Sequence, residues 1–220
     1  MAKAPRIQKT AGRPRVRRGS EEDAAQLRSE LLAAAATLFE REGLDAVTMR
    51  AVANQVGVSA MTPYNYFEDK SHLLQGLCLQ VIGRALEAIQ TASHGAPDAR
   101  ERIRRSVGAF IAYWEANPQH YKLVYMTEQT VRAEEAGKYS ESPVYRAIVD
   151  HNVQACIELA REIGGDLGRV KLAGDVRFTM ISGYLHAHLV NRRYPWSEPT
   201  QLRKRYIEEI IAAMERCLLS

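Results

Sequence analysis

Apolar residues recur at helical spacing along almost the whole chain beyond residue 22. The first amphipathic segment covers residues 24–42, and Gly43 predicts its end. Its apolar face consists of Leu27, Leu31, Leu32, Ala35, Leu38 and Phe39. No segment alternates apolar and polar residues in the way that a half-buried strand does. The pattern therefore predicts an all-α protein with about nine helices.

Two short helical patterns follow, separated by a turn at Gly57. The first begins at Thr48, a typical helix start, and continues up to Gly57, which readily adopts the positive φ of a helix end. Ser59 predicts a second helix start, followed by a helix over residues 60–67. Pro63 lacks the N–H group for the first intrahelical hydrogen bond of that helix. Two short helices joined by a glycine turn match the helix-turn-helix, whose second helix enters the major groove.

The rest of the chain consists of further helical patterns. They cover residues 71–92, 98–116, 118–130, 142–163, 169–192 and 200–218. A charged segment, residues 132–140, predicts a loop. Residues 169–192 are apolar almost all round and so require burial on more than one side, whereas residues 200–218 carry one apolar stripe.

The charge of the chain is unevenly distributed. Its composition, 46% hydrophobic and 25% charged, is that of an ordinary globular protein, and its net charge is +4. Residues 1–20 carry seven lysines and arginines and no acid, which leaves a net charge of −3 on residues 21–220. Basic charge beside a helix-turn-helix pattern indicates a polyanion at this end of the molecule.

The basic segment, residues 1–22, has no apolar periodicity, and its like charges repel one another, so we expect a disordered arm. Its sequence GRPR at residues 12–15 resembles the core of AT-hook arms, whose arginines enter a narrow A·T minor groove. The alternative is a solvated tail that only adds attraction to phosphates. The candidate DNA contacts of the arm are Arg13, Arg15, Arg17 and Arg18.

The helix-turn-helix segment resembles the N-terminal DNA-binding domain of the TetR family of one-component transcriptional regulators. The resemblance rests on residues in the family's order: Leu38, Phe39, Gly43, Thr48, Ala53, Gly57, Val58, Ser59, Tyr64, Phe67 and Lys70. It implies base contacts from Arg50, Ala60, Met61 and Thr62, and phosphate contacts from Thr48, Tyr64, Tyr66 and Lys70. Ser59 and Asn65 complete the candidate DNA-binding set. Pro63 and Tyr66 depart from the family pattern, in which Leu and His are more common at these two places.

The chemistry of these residues agrees with the implied roles. Arg50 has the planar fork that binds guanine O6 and N7, although a phosphate contact or a surface ion pair is the alternative. Ala60, Met61 and Thr62 offer little beyond apolar contact with thymine methyl groups and one hydroxyl. We therefore expect few direct base contacts, with DNA shape and the arm contributing to specificity. Positions 64 and 66 face different sides of a helix, so at least one of the two tyrosines is available to a phosphate, and Phe67 is the expected buried anchor.

The resemblance also implies three regions: a basic arm at residues 1–22, a DNA-binding domain at residues 23–70, and an effector-binding and dimerisation domain at residues 71–220. In the family, the last two helices form the dimer interface, which implies a homodimer through residues 169–192 and 200–218. Ordinary intrachain core is the alternative for these helices. The two DNA-binding domains, or heads, of a dimer suit a near-palindromic operator in double-stranded DNA.

The middle of the chain is where the family binds a small effector. Aromatic and sulfur side chains there suit an apolar or aromatic ligand. The candidates are Tyr113, Trp114, Tyr121, Tyr125, Met126, Cys156, Phe178 and Tyr184. Taken singly, most of these residues are more often plain core residues than ligand contacts.

Other functions have little support in the sequence. The chain has no G-x-S-x-G, H-E-x-x-H or P-loop motif, so we expect neither an enzyme nor a cofactor. Cys78, Cys156 and Cys217 lie outside any C-x-x-C spacing, which argues against a zinc site or disulfides and favours the reducing cytoplasm. We find no apolar run of membrane-spanning length and no signal peptide. The sequence predicts a repressor released from its operator by a small molecule, with an architectural or effector-independent DNA-binding protein as the alternative.

Overall fold

The computed structural model describes residues 21–127, 140–191 and 193–220, which contain eight α-helices. They are α1 (Glu21–Glu42), α2 (Met49–Val56), α3 (Lys70–Ser93), α4 (Ala99–Ala116), α5 (Pro118–Tyr125), α6 (Pro143–Ile163), α7 (Val170–Val190) and α8 (Pro199–Leu219). No strand occurs in these three ranges, so the predicted all-α fold is confirmed. The four arginines of the arm, the end of the helix predicted at residues 118–130, most of the loop predicted at residues 132–140, and Arg192 lie outside them.

The start and end of α2 follow from local chemistry. The Thr48 hydroxyl accepts a hydrogen bond from the Ala51 N–H at 3.1 Å, which caps the helix. Gly57 ends the helix in the left-handed conformation at φ 81°, and its N–H donates to the Ala53 carbonyl. Both residues were predicted to have these roles.

The predicted second helix at residues 60–67 is wrong in type, because a single 3₁₀ turn at Thr62–Asn65 takes its place. An α-helix there would need residue 63 to donate to the Ser59 carbonyl, which proline cannot do. The Thr62 N–H donates to that carbonyl instead, at 2.9 Å. Ser59 is not the predicted helix cap either, since its hydroxyl pairs with the Thr62 hydroxyl at 2.9 Å.

Helix α3 joins the helix-turn-helix to the rest of the protein. Asp69 caps its start by accepting from the His72 N–H at 2.9 Å. The helix then packs against α1 and α4. Gly76 permits a close approach to α1, because a Cβ atom there would lie 2.6 Å from Leu32 Cδ2.

The core continues through the body, where α4, α6, α7 and α8 pack on one another. The apolar stripe of α8 is buried within its own chain and consists of Ile207, Ile210, Ile211, Met214 and Leu218. The stripe therefore belongs to the intrachain core, which was the alternative to a dimer interface. None of the described helices is long and apolar enough to span a membrane.

Candidate nucleic-acid interface and helical body

The predicted base-reading residues are exposed. Arg50 lies in the first turn of α2, and no hydrogen bond or ion pair involves it within the described ranges. Met61, directly before the 3₁₀ turn, is 70% exposed, and Ala60 is also exposed. The 3₁₀ turn itself packs against α2. The structure thus places Arg50 and the residues before the 3₁₀ turn where a duplex can approach. Thr62 differs, because it is half-buried and its hydroxyl is already paired with Ser59.

The predicted phosphate contacts differ in how far their side chains are exposed. Tyr64 is 48% exposed, whereas Tyr66 is half-buried against the core and Phe67 is buried. The two tyrosines therefore face different ways, which favours Tyr64 as the phosphate contact. Asn65 is exposed, and Lys70 is half-buried at the start of α3. The Thr48 hydroxyl uses its oxygen to cap α2, and its proton remains available to a phosphate oxygen.

The structure adds one basic residue that the sequence reasoning missed. The guanidinium of Arg28, on α1, lies 5.0 Å from the centre of the Phe67 ring. This contact places an exposed cation beside the end of the helix-turn-helix. At the start of α3, a hydrogen bond from the His72 backbone N–H holds the pKa of Asp69 below its usual range.

A polar bridge joins α1 to the body. The ring of the buried His120, on α5, stacks on Phe39 with the ring centres 5.7 Å apart. Its Nε2 lies 2.8 Å from a carboxylate oxygen of Glu40, and its Nδ1 lies 3.0 Å from the Tyr113 hydroxyl. The Glu40 carboxylate can only accept, so Nε2 carries the proton of that contact, whereas the donor between Nδ1 and the Tyr113 hydroxyl depends on the protonation of the ring.

The same bridge includes the joining helix α3. Arg84 donates to Glu40 at 3.0 Å, and the Tyr113 hydroxyl lies 3.2 Å from the Val81 carbonyl. Burial alone would raise the pKa of Glu40, but the hydrogen bonds and charges of His120 and Arg84 hold it below 4.5. Glu40 therefore links α1, α3 and α5.

Four of the predicted effector residues lie together. Trp114 is fully buried, and its ring centre lies 5.1 Å from that of Tyr113, 5.9 Å from that of Tyr121 and 5.3 Å from that of Tyr125. Within the three described ranges, the Trp114 indole N–H has no hydrogen-bond partner. Burial raises the pKa of the Tyr113 hydroxyl to about 12, so this group remains a donor at neutral pH.

The other four lie apart from this cluster. Tyr184 stacks on His188 and Tyr206 and donates to Glu115 at 3.2 Å. Met126 is exposed, and Cys156 is buried against Arg177. Phe178 is 55% exposed and lies on the outer side of α7.

The outer side of α7 forms a groove on the protein surface. Its volume is about 550 Å³, and it is lined by Tyr121, Phe178, Thr179, Ser182, Gly183, His186 and Ala187. Leu172 and Val190, nearer the two ends of α7, are also exposed. Helix α7 was predicted to require burial on more than one side, and in the single chain this side remains uncovered. We define the α7 face as Leu172, Phe178, Thr179, Gly183, His186 and Val190.

Comparison with known proteins agrees with this architecture. Residues 31–77 match the model of bacterial regulatory proteins of the tetR family, which confirms the resemblance of the helix-turn-helix segment. The transcriptional activator FasR of Mycolicibacterium smegmatis is 30% identical over 122 residues, which are 54% of this chain and 56% of FasR. The transcriptional repressor KstR2 of Mycobacterium tuberculosis is 28% identical over 131 residues, which are 58% of this chain and 60% of KstR2. The matched region thus spans between half and two thirds of these relatives.

The likeness to solved structures extends over most of the chain. The regulator FadR of Bacillus subtilis, crystallised in complex with stearoyl-CoA, superposes with a TM-score of 0.65 at 17% identity. The superposition covers 84% of this chain and 98% of FadR. At this identity the likeness concerns the fold, an N-terminal helix-turn-helix followed by a helical body.

Proposed function

We propose that this chain, whose residues 31–77 match the tetR family of bacterial regulatory proteins, is a DNA-binding transcriptional regulator. The observation that carries the proposal is an exposed Arg50 without an ion-pair partner in the described ranges, on a helix-turn-helix whose other candidate contacts also reach the surface. The chain acts as a homodimer on a near-palindromic operator, and a small effector in the body releases it. The relatives include an activator and a repressor, and release by an effector corresponds to the repressor.

The DNA contacts divide by chemistry. Arg50 reads a guanine, because its fork matches the two acceptors that guanine presents in the major groove. Tyr64, Lys70 and Arg28 bind phosphates, which fixes the position of the head without reading sequence. Since Ala60 and Met61 add only apolar contacts, specificity depends strongly on Arg50.

Arg50→Ala is expected to reduce the preference for operator over random duplex by roughly five- to hundredfold, the equivalent of about 1–3 kcal/mol. Lys70→Ala should weaken binding to both duplexes by a similar factor, because a phosphate contact carries no sequence information. Fluorescence anisotropy on an operator selected from random DNA, and on a scrambled duplex of equal length, measures both ratios.

The control is Arg105→Ala, which removes an exposed arginine of α4 that pairs with Glu101, remote from the proposed interface. It should leave both affinities unchanged. Equal losses on operator and scrambled DNA for Arg50→Ala would contradict its assignment as a base reader.

Deletion of residues 1–18 should flatten the salt dependence of DNA binding. Each phosphate that the arm neutralises contributes about −0.9 to the slope of log K against log salt concentration. A truncated protein with an unchanged slope would mean that the arm does not contact DNA. A comparison of A·T-rich and G·C-rich flanking sequences then separates minor-groove binding from simple attraction to phosphates.

Release of the operator requires a connection between body and head, and the Glu40–His120 bridge supports such a connection. The aromatic cluster around Trp114 includes Tyr113, whose hydroxyl contacts both His120 and the backbone of α3. An effector that displaces this cluster therefore acts on the helix that carries the head. A genome-wide map of binding sites tests the function as a whole. A few palindromic sites support the regulator, and broad A·T-rich coverage supports an architectural protein.

A further inference from the structure

Arg177 of α7 is a buried arginine without a counterion in the part of the chain that the structure describes. The residue is 4% exposed, and its guanidinium contacts Ser106 of α4, at 3.3 Å, and the Cys156 thiol of α6. The second terminal nitrogen, Nη1, has no hydrogen-bond partner among the residues that the structure describes. Of the carboxylates in residues 21–127, 140–191 and 193–220, none lies within ion-pair distance of it.

Arginines nearer the surface of the body form ion pairs with carboxylates. Arg102 pairs with Glu158, Arg104 with Glu208, and Arg203 with Glu115, all at less than 3 Å. Each of these arginines keeps about a third of its side chain exposed. The arginines that water can reach thus have carboxylate partners. The buried Arg177 has no such partner among the described residues. An unpaired charge in this position is costly, because burial removes its hydration without any compensating partner.

The neighbours of Arg177 do not remove this positive charge. Burial lowers the pKa of the guanidinium, but an arginine remains protonated at neutral pH. Burial raises the pKa of the Cys156 thiol, so the thiol is neutral and is no counterion. Burial and the charges of Arg102 and Arg177 lower the pKa of His151, which is therefore neutral as well. The site holds one net positive charge and two unfilled polar positions, Arg177 Nη1 and His151 Nε2.

A single guanidinium matches a single negative charge. A carboxylate accepts two parallel hydrogen bonds from the planar fork, and it leaves no excess charge in the interior. A phosphate dianion would bury a second, uncompensated negative charge.

The surroundings indicate the shape of the rest of the ligand. Ser106, Phe110 and Trp114 are spaced four residues apart on α4, so they share one side of the helix and span about 12 Å along it. Phe110 packs edge-on against Trp114, with ring centres 5.8 Å apart. This row leads from the guanidinium to the aromatic cluster and to the unpartnered indole N–H of Trp114.

We propose that Arg177, together with His151, binds the carboxylate of an amphipathic monocarboxylic acid whose apolar part extends along Phe110 towards Trp114. The site deepens the proposed function, because it gives the effector its chemical class. It also explains why the sequence retains a charge that destabilises the empty protein.

The test compares the full-length protein with Arg177→Met and Arg177→Lys, by calorimetric titration and by thermal unfolding. The probes are decanoate and 4-phenylbutyrate, each with its matched alcohol, and decyl phosphate. Wild-type protein should bind at least one acid about ten- to hundredfold more tightly than its alcohol, which corresponds to the loss of a hydrogen-bonded charge pair. Arg177→Met should lose this preference, and Arg177→Lys should keep part of it, because lysine retains the charge without the fork.

Unfolding of the empty protein separates a ligand-binding role from a structural one. Arg177→Met should raise the midpoint temperature of the empty protein, because it removes an unpaired buried charge, whereas a structural arginine would lower it on replacement. The proposal is overturned if Arg177→Met lowers the midpoint, if neither acid is preferred over its alcohol, or if decyl phosphate binds more tightly than decanoate. The control Arg105→Met should bind the acids like wild type.

Operator binding is measured in parallel on wild-type protein. If the wild-type protein binds its operator but shows no preference for acids, only the proposal of the carboxylate site is contradicted. A wild-type protein that prefers acids but binds no palindromic DNA defeats the proposed regulatory function and leaves the carboxylate site intact.

Discussion

Gly183→Arg is expected to make the protein monomeric and to weaken its binding to the operator by roughly a hundredfold or more. Gly183 lies in the middle of the α7 face, and a Cβ atom at this position meets no atom of its own chain within 4 Å. Arginine therefore fits the single chain without strain. In a dimer that uses this face, the same side chain would separate two closely packed helices and bring two charges into an apolar contact.

The size of the effect follows from how a dimer reads DNA. Two heads bind half-sites about 34 Å apart, so the second head binds at a high effective concentration once the first is bound. A monomer loses that contribution even though each head is intact.

Analytical ultracentrifugation measures the oligomeric state, and circular dichroism confirms that the variant is folded. The matched control is Ala112→Arg, which places arginine at an exposed position of α4, outside the α7 face. It should remain dimeric and bind DNA normally. A Gly183→Arg protein that is dimeric and binds its operator like wild type would exclude the α7 face as the interface.

The proposed dimer interface on the α7 face illustrates a limit of sequence patterns. The stripe of α8 and the apolar surround of α7 have the same helical period whether they face their own chain or a second copy. Only the packed structure separates them: it buries Ile210 and Met214 in the core and leaves Leu172 and Phe178 on the surface. The sequence therefore predicted both helices, and the structure adds that the buried residues of the α8 stripe pack within their own chain.

Local chemistry was the most reliable guide to the DNA-binding segment. Thr48 and Gly57 act within one or two turns of chain, so their effects can be predicted without tertiary structure. Pro63 is equally local, and its missing N–H explains why a 3₁₀ turn replaces the predicted helix. The side-chain pattern of that stretch fits an α-helix, but Pro63 cannot donate the backbone hydrogen bond that an α-helix requires.

Long-range contacts were beyond the reach of the sequence. Glu40 and His120 are 80 positions apart, and nothing in either segment indicates that they meet. Arg28 was placed on a helix with no expected role, and only its contact with Phe67 brings it to the DNA-binding surface. Arg177 lies in a region predicted to be apolar, where the absence of a described counterion becomes visible only once the neighbours are known.

Gly76→Val is expected to destabilise the protein by roughly 1–3 kcal/mol, because the contact between α1 and α3 has no room for a side chain. Even a Cβ atom would lie 2.6 Å from Leu32, and Leu32 is itself buried, so it has little space into which it can move. This corresponds to a fall in the midpoint of thermal unfolding of roughly 2–12 °C for a chain of this size. The displaced contact joins the same two helices as the Glu40–Arg84 pair, about 12 Å further along them, so the attachment of the head should loosen as well.

Gly83→Ala is the matched control on the same helix, since a Cβ atom there meets only Val144, at 3.8 Å. Replacing a helical glycine without steric conflict should stabilise the protein by about 0.5–1 kcal/mol. Chemical denaturation of both variants measures the difference, and hydrogen exchange of α1 reports on the attachment of the head. If Gly76→Val were as stable as Gly83→Ala, α1 would have to be free to move away from α3, and close packing at Gly76 could not be what holds the two helices together.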